Sequence, residues 1–196
     1  MPPLEVILAS TSLYRRALLA RLQVEFRCIA PRTEENALDA EAPEVIALRL
    51  ALSKARDVAQ LNPEALVIGS DQVAAVGDQA LGKPGNFHTA MRQLQDSSGQ
   101  AVQFYTAVAV VCLHRKFERF HVEPFTVQFR SLSDVQIANY LRREQPYDCA
   151  GSFKAEGLGI ALFEKMTGDD PTSLEGLPLI KLTELLAAAG LDVLRV

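Results

Sequence analysis

Along the chain the hydrophobic positions change period several times, and each change predicts an element. Residues 4–9, LEVILA, are an apolar run of strand length, and Ser10-Thr11-Ser12 then offers N-caps for a helix over 13–22. A second strand is predicted over 26–30, followed by a polar loop, PRTEEN, and a long helix over 43–61 that Asn62-Pro63 closes. The run LVIGSDQ begins as a strand over 66–71, buried on both faces and reaching its carboxyl end near Gly69-Ser70. A Gly-Lys-Pro-Gly turn at 82–85 leads to a helix over 87–95, ended by the SSG at 97–99.

Period two takes over next. Residues 101–113 and 117–130 read as antiparallel strands joined by a polar tip, and Pro124 marks an edge or a bulge because proline cannot donate to the ladder. Ser133 with Gln136 is a capping-box start for a helix through 143, and a last helix lies near 179–189. Strand and helix units flanking antiparallel strands indicate an α/β fold around one mixed sheet, with residues 1–196 as one domain.

Composition narrows the partners. With 48% hydrophobic and 22% charged residues among 196, the chain is ordinary globular material without a disordered tract. No apolar stretch reaches the roughly 18 residues of a membrane span, and the N-terminus lacks the basic flank of a signal peptide, so a cytoplasmic protein off the membrane is expected. A net charge of -4 argues against a nucleic-acid polymer as main partner, while leaving room for a local basic cluster around a small anion. Cys28, Cys112 and Cys149 show no CxxC pairing and are expected to be small core residues.

Several polar clusters could carry chemistry. Asp71 and Gln72 interrupt an apolar run where open α/β sheets put ligands, although a turn aspartate would look the same. Ser10, Ser12 and Arg15 stand at a helix start, where unpaired N–H groups favour an anion; an ordinary cap with solvated arginines is the alternative. Lys54 on the long helix and Lys83 in the LGKPG turn could be surface lysines, or could join Glu34-Glu35 and Asp71 in holding polyphosphate and a divalent ion. In CAGSFKAEGLG, small residues would let a ligand approach the backbone, and Lys154 and Glu156 could pair with each other. Cys149 has no local histidine to make it a nucleophile.

Taken in order, ASTSLYRR, EEN, LSKA, GSDQV, LGKP, YDCAGSFKAEGLG and GLPL resemble the Maf family of nucleotide pyrophosphatases over nearly the whole chain. The resemblance implies an elongated mixed sheet flanked by helices, two lobes enclosing a cleft, similar to inosine triphosphate pyrophosphatases. It also implies hydrolysis of a nucleoside triphosphate to monophosphate and pyrophosphate with a divalent metal such as Mg, Mn or Co. The family's S-x-x-R element falls on Ser12 to Arg15 or on the adjacent Thr11 pair, with Ser10 beside it. Its loop glutamate falls on Glu35, its helix lysine on Lys54, its catalytic aspartate on Asp71 and its turn lysine on Lys83.

Tyr14, Gln72 and Glu156 stand where branches of the family differ, and the set is similar to the branch acting on 7-methyl-GTP, with Tyr14 in place of that branch's frequent Trp. A methylated, cationic guanine suits an electron-rich ring, at about 0.5–2 kcal/mol for a cation–π contact, and a carboxylate such as Glu156 suits its N–H edge. The resemblance further implies Glu35 and Asp71 at the metal, Asp71 as general base, Arg15, Lys54 and Lys83 on the phosphates, and a homodimer as a possible assembly. The rivals are a nucleotide-binding regulator of septum formation without catalysis, and a house-cleaning enzyme for inosine or xanthosine triphosphate.

Overall fold

A computed structural model of the protein describes residues 4–33, 41–77 and 79–195. Among these, seven strands form one sheet: β1 (Val6–Leu8), β2 (Phe26–Cys28), β3 (Leu66–Val76), β4 (Gln79–Leu81), β5 (Ala101–Cys112), β6 (Phe117–Phe129) and β7 (Phe163–Thr167). Their spatial order is β2-β1-β3-β5-β6-β7, with β4 beside β3. The pairs β1–β2 and β1–β3 are parallel, and all the others are antiparallel.

Among the described residues five α-helices cover the faces: α1 (Leu13–Ala20), α2 (Pro43–Leu61), α3 (Phe87–Ser97), α4 (Asp134–Glu144) and α5 (Leu179–Ala188). α1 and α5 bury Leu18, Leu19, Leu182 and Leu186 against Leu8, Leu66, Ile68 and Val110 at one end of the sheet. α3 and α4 bury Leu94, Ile137 and Leu141 with Phe104, Phe125 and Phe129 at the other end. These two cores are the two lobes. α2 spans both on the opposite face, its second half packing Ala55 and Val58 on Val67 and its first half packing Ile46 and Leu50 beside Val73.

Local signals account for much of this. Pro43 sits at the start of α2, where its missing N–H costs nothing. Ser133 and Gln136 form the expected capping box on α4. Pro124 pairs with Tyr105 on one side, while β7 pairs β6 only at Thr126–Phe129, so the proline lies on an edge stretch; the register irregularity falls at Gln128/Phe129 instead.

Other expectations change. The strand begun at Leu66 does not end near Ser70 but runs on to Val76, because Val73, Ala74 and Ala75 continue its apolar run and β5 pairs with it throughout. β4 and β7 carry no period-two signal, the first being three residues long and the second largely exposed. α1 stops at Ala20 and α3 continues to Ser97, whose hydroxyl bonds back to the Gln93 carbonyl at 2.8 Å. Of the cysteines, Cys112 is buried and Cys149 half-buried, but Cys28 is exposed on the thin edge strand β2.

Candidate active site

β3 changes partners along one edge. Its start pairs with β1 from Val6↔Leu66 to Leu8↔Ile68, and its end pairs with β4 from Ala74↔Leu81 to Val76↔Gln79. Since β5 occupies the other edge, residues 69–73 have no strand partner on the open side among the described residues. The cleft opens there, with a volume of about 700 Å³.

Alternation along the strand divides GSDQ between two faces. Gly69 and Asp71 fall on the face that α2 covers, with Val67 and Val73; Ser70 and Gln72 fall on the other, with Ile68 and Ala74. Gly69 permits the close approach of α2: a Cβ there would lie 2.2 Å from the Ala51 carbonyl oxygen and 2.7 Å from the Ala55 nitrogen. That approach seats Lys54 on Asp71, with Nζ donating to Oδ1 at 2.6 Å. Lys54 is 4% exposed and Asp71 8%, so Lys54 is not a surface lysine and Asp71 is not a turn aspartate.

Ser10, Ser12, Arg15 and Lys83 line the same cleft as Lys54 and Asp71. Ser12 caps α1, its Oγ accepting from the Arg15 N–H at 3.4 Å, and its own N–H donates to the buried Ser10 Oγ at 3.1 Å. Arg15 donates from Nε to the Gly176 carbonyl at 2.9 Å, so the guanidinium is held in a fixed direction. Lys83 is exposed at the lip, and its turn is tied by the Gly85 N–H to the Tyr147 carbonyl at 2.9 Å. Glu34 and Glu35, the expected loop carboxylates, lie outside the described residues.

Tyr14 and Glu156 belong to a second charged neighbourhood lining the cleft, together with Asp148, Cys149 and Glu175. Burial pushes the Tyr14 hydroxyl above its usual pKa, and nearby Cys149 adds to this, so the ring stays a neutral phenol. Burial also raises the Glu156 carboxyl above the ordinary carboxylate range, and the charges of Glu175 and Glu144 reinforce it. Glu156 is nevertheless open to water on its cleft side. Lys154 and Glu156 form no ion pair: the Lys154 ammonium donates to the Glu144 carbonyl at 3.4 Å and bonds to the Tyr14 hydroxyl. Cys149, held at a pKa of about 12 chiefly by burial and by Asp148, is a protonated thiol rather than a nucleophile.

Gln72 lines the cleft, but its amide nitrogen is engaged behind it, donating to Ser173 O at 2.8 Å, Thr106 Oγ1 at 3.0 Å and Leu174 O at 3.2 Å. Asp148, Glu175 and Thr106 were not singled out from the sequence. The first two had a signal there, lying inside YDCAGS and directly before GLPL; Thr106 is one polar residue in a Val-rich strand and had none.

A mixed sheet opened along its central strand, with a buried Lys–Asp pair in the opening and a cluster of carboxylates lining the same cleft, defines an α/β protein with a ligand-sized site. The chain belongs to the Maf-like protein family, which matches residues 5–189. It is 55% identical to the 7-methyl-GTP pyrophosphatase of Nitrosococcus oceani over 98% of this chain and 96% of that one. It is 53% identical to the 7-methyl-GTP pyrophosphatase of Albidiferax ferrireducens over 97% and 96%. Among solved structures, a HAM1 protein from Coxiella burnetii shares the fold at a TM-score of 0.51 and 16% identity, covering 95% of this chain and all of that one.

Proposed function

We propose that this protein is a nucleoside triphosphate pyrophosphatase acting on 7-methyl-GTP, releasing 7-methyl-GMP and pyrophosphate. The near full-length relatives of that name support the reaction. The observation that carries it is the division of charge in the cleft: Arg15, Lys54 and Lys83 suit a triphosphate, while Glu156 and the Tyr14 ring, beside the Arg21-paired Glu175 and with Lys154 at the Tyr14 hydroxyl, suit a cationic base.

In this reading Asp71 takes the proton from the water that attacks the α-phosphorus, as the α–β anhydride bond breaks and pyrophosphate leaves. Lys54 holds Oδ1 of Asp71, which leaves Oδ2 as the acceptor for that water. Arg15 and Lys83 complement the phosphate charge, and positioning with charge stabilisation is most of phosphoryl-transfer catalysis. A divalent cation fits the donor set, because a magnesium-type ion accepts one or two carboxylates and completes its shell with phosphate oxygens and water. Glu35 and Asp71 are the carboxylates that would hold it, Asp71 through the water whose proton it takes, and it would supply further neutralisation of the triphosphate. Among the described residues no group of three or more His, Cys, Asp or Glu forms a self-sufficient cage, so the nucleotide is part of the ion's shell in this proposal.

The proposal includes a cytoplasmic location and a homodimer; no helix among the described residues is long and apolar enough to cross a membrane. Pyrophosphate release from 7-methyl-GTP, GTP and UTP with magnesium or manganese is the test. The expected result is preference for 7-methyl-GTP and a loss of about 10²–10⁴ in rate for Asp71→Asn. Binding without turnover would overturn the enzyme and favour a nucleotide-binding regulator.

A further inference from the structure

The 3-10 turn Pro171–Glu175 and Gly176 after it form one wall of the cleft, to which they contribute Leu174, Glu175 and Gly176. Side chains from the sheet hold that wall from behind. The single Ser70 hydroxyl hydrogen is shared between the Ala107 carbonyl at 2.8 Å and the Gly176 carbonyl at 2.9 Å, and Thr106 donates to the Ser173 carbonyl at 2.9 Å. The Gln72 amide nitrogen has only two hydrogens for its three acceptors, Ser173 O, Leu174 O and Thr106 Oγ1, so no donor remains for a ligand. Turning the amide over would set its oxygen against two carbonyl oxygens, so the surroundings dictate its orientation. Thr106 is fully buried and does not line the cleft, and it therefore cannot touch a substrate.

We propose that Thr106 and Gln72 are positioning residues for base selection, acting through the wall at 173–176 rather than by contact of the Gln72 amide N–H groups with the base. The inference rests on the proposed 7-methyl-GTP reading. What the clamp positions is the backbone that carries Leu174 and Glu175; the Glu175 carboxylate, which also accepts from Arg21 at 2.9 Å, is electrostatically adjacent to Glu156. A cationic base is read by the direction and distance of those two carboxylates. Thr106 and Gln72 hold only the Ser173–Leu174 part of the wall, so loosening it weakens that reading while leaving in place the Lys54–Asp71 pair, on the opposite face of β3, and the Gly176 carbonyl that holds Arg15.

The test compares the parent with Thr106→Val, Gln72→Leu, the double variant and Thr106→Ser, which keeps the hydroxyl. Calorimetry with 7-methyl-GMP and GMP gives the binding preference without turnover, and steady-state kinetics with 7-methyl-GTP gives KM and kcat. Thr106→Val is expected to reduce the preference for the methylated base by about fivefold or more, with the double variant no worse than Gln72→Leu because both changes cut one network. KM should rise while kcat stays within about twofold, and Thr106→Ser should behave as the parent. A preference that Thr106→Val leaves unchanged overturns the inference, as does an equal loss of affinity for both monophosphates. A parent that binds 7-methyl-GMP preferentially but releases no pyrophosphate overturns the proposed reaction, and the binding ratios then still decide the role of the clamp.

Discussion

Gly69→Ala puts one methyl group into the contact that brings α2 down on β3. The added Cβ would sit 2.2 Å from Ala51 O, 2.7 Å from Ala55 N and 2.9 Å from Ala55 Cβ. The closest favourable carbon–oxygen approaches are about 3.3–3.6 Å, so the helix must recede by about 1 Å. Both obstacles nearest to it are backbone atoms, which no rotamer change can move aside. Overpacking of this kind costs about 1–3 kcal/mol. At roughly 2–4 °C per kcal/mol for a chain of this size, Tm should fall by about 2–12 °C. The same retreat draws Lys54 away from Asp71, whose contact is 2.6 Å, and an error of about 1 Å in a catalytic arrangement costs on the order of 10²-fold in rate. Thermal unfolding and kcat/KM with 7-methyl-GTP check both consequences. A variant within about 1 °C and twofold of the parent would refute the claim that Gly69 sets the helix position.

Lys54→Ala should lower kcat/KM by an amount equivalent to about 1.5–3 kcal/mol, the range for hydrogen bonds to charged groups. It should also lower Tm, because the pair it breaks is buried, and Asp71→Asn added to it should recover part of that stability. Glu156→Gln should reduce the preference for 7-methyl-GTP over UTP by about tenfold, read from kcat/KM ratios. In the parent, that preference should decline with falling pH before an ordinary carboxylate would titrate, since the Glu156 pKa is raised; in the variant it should stay flat over the same window. A raised folded-state pKa means that the charged form costs stability above it, so Glu156→Gln should raise Tm near neutral pH, and the gain should vanish once pH falls below the unfolded carboxylate range. Alkylation at pH 8 followed by mass spectrometry should label exposed Cys28 and spare buried Cys112 and half-buried Cys149, the last held as a thiol by its pKa of about 12.

Much of the fold was legible because local chemistry and tertiary packing agree. α2 begins at Pro43 and ends before Asn62-Pro63, and α4 carries its own capping box. The strand of Asp71 was legible as a strand but not in length, since what extends it to Val76 is pairing with β5, a contact far away in sequence. Asp71, Lys54 and the Ser12–Arg15 element could be marked one by one. Their assembly could not, because Lys54 meets Asp71 only through the packing of α2 over Gly69. Proximity in sequence misled in the other direction: Lys154 and Glu156, two residues apart, do not pair. Gln72 was legible as a cleft residue, whereas its bonds to Ser173 and Leu174 depend on a loop 101 and 102 residues away, and its bond to Thr106 on the neighbouring strand β5.

The division of GSDQ between the two faces of β3 limits how this strand can vary. Substitutions can be absorbed one side chain at a time, but the insertion or deletion of one residue between Leu66 and Gly69 would invert every later position. Asp71 would then turn from Lys54 toward the 173–176 wall, and Gln72 would be driven against α2. Two residues gained or lost would restore the alternation yet displace the carboxylate by about 6.6 Å along the strand, away from the unpaired stretch at 69–73. Length in this segment is therefore as much a part of the site as the aspartate itself.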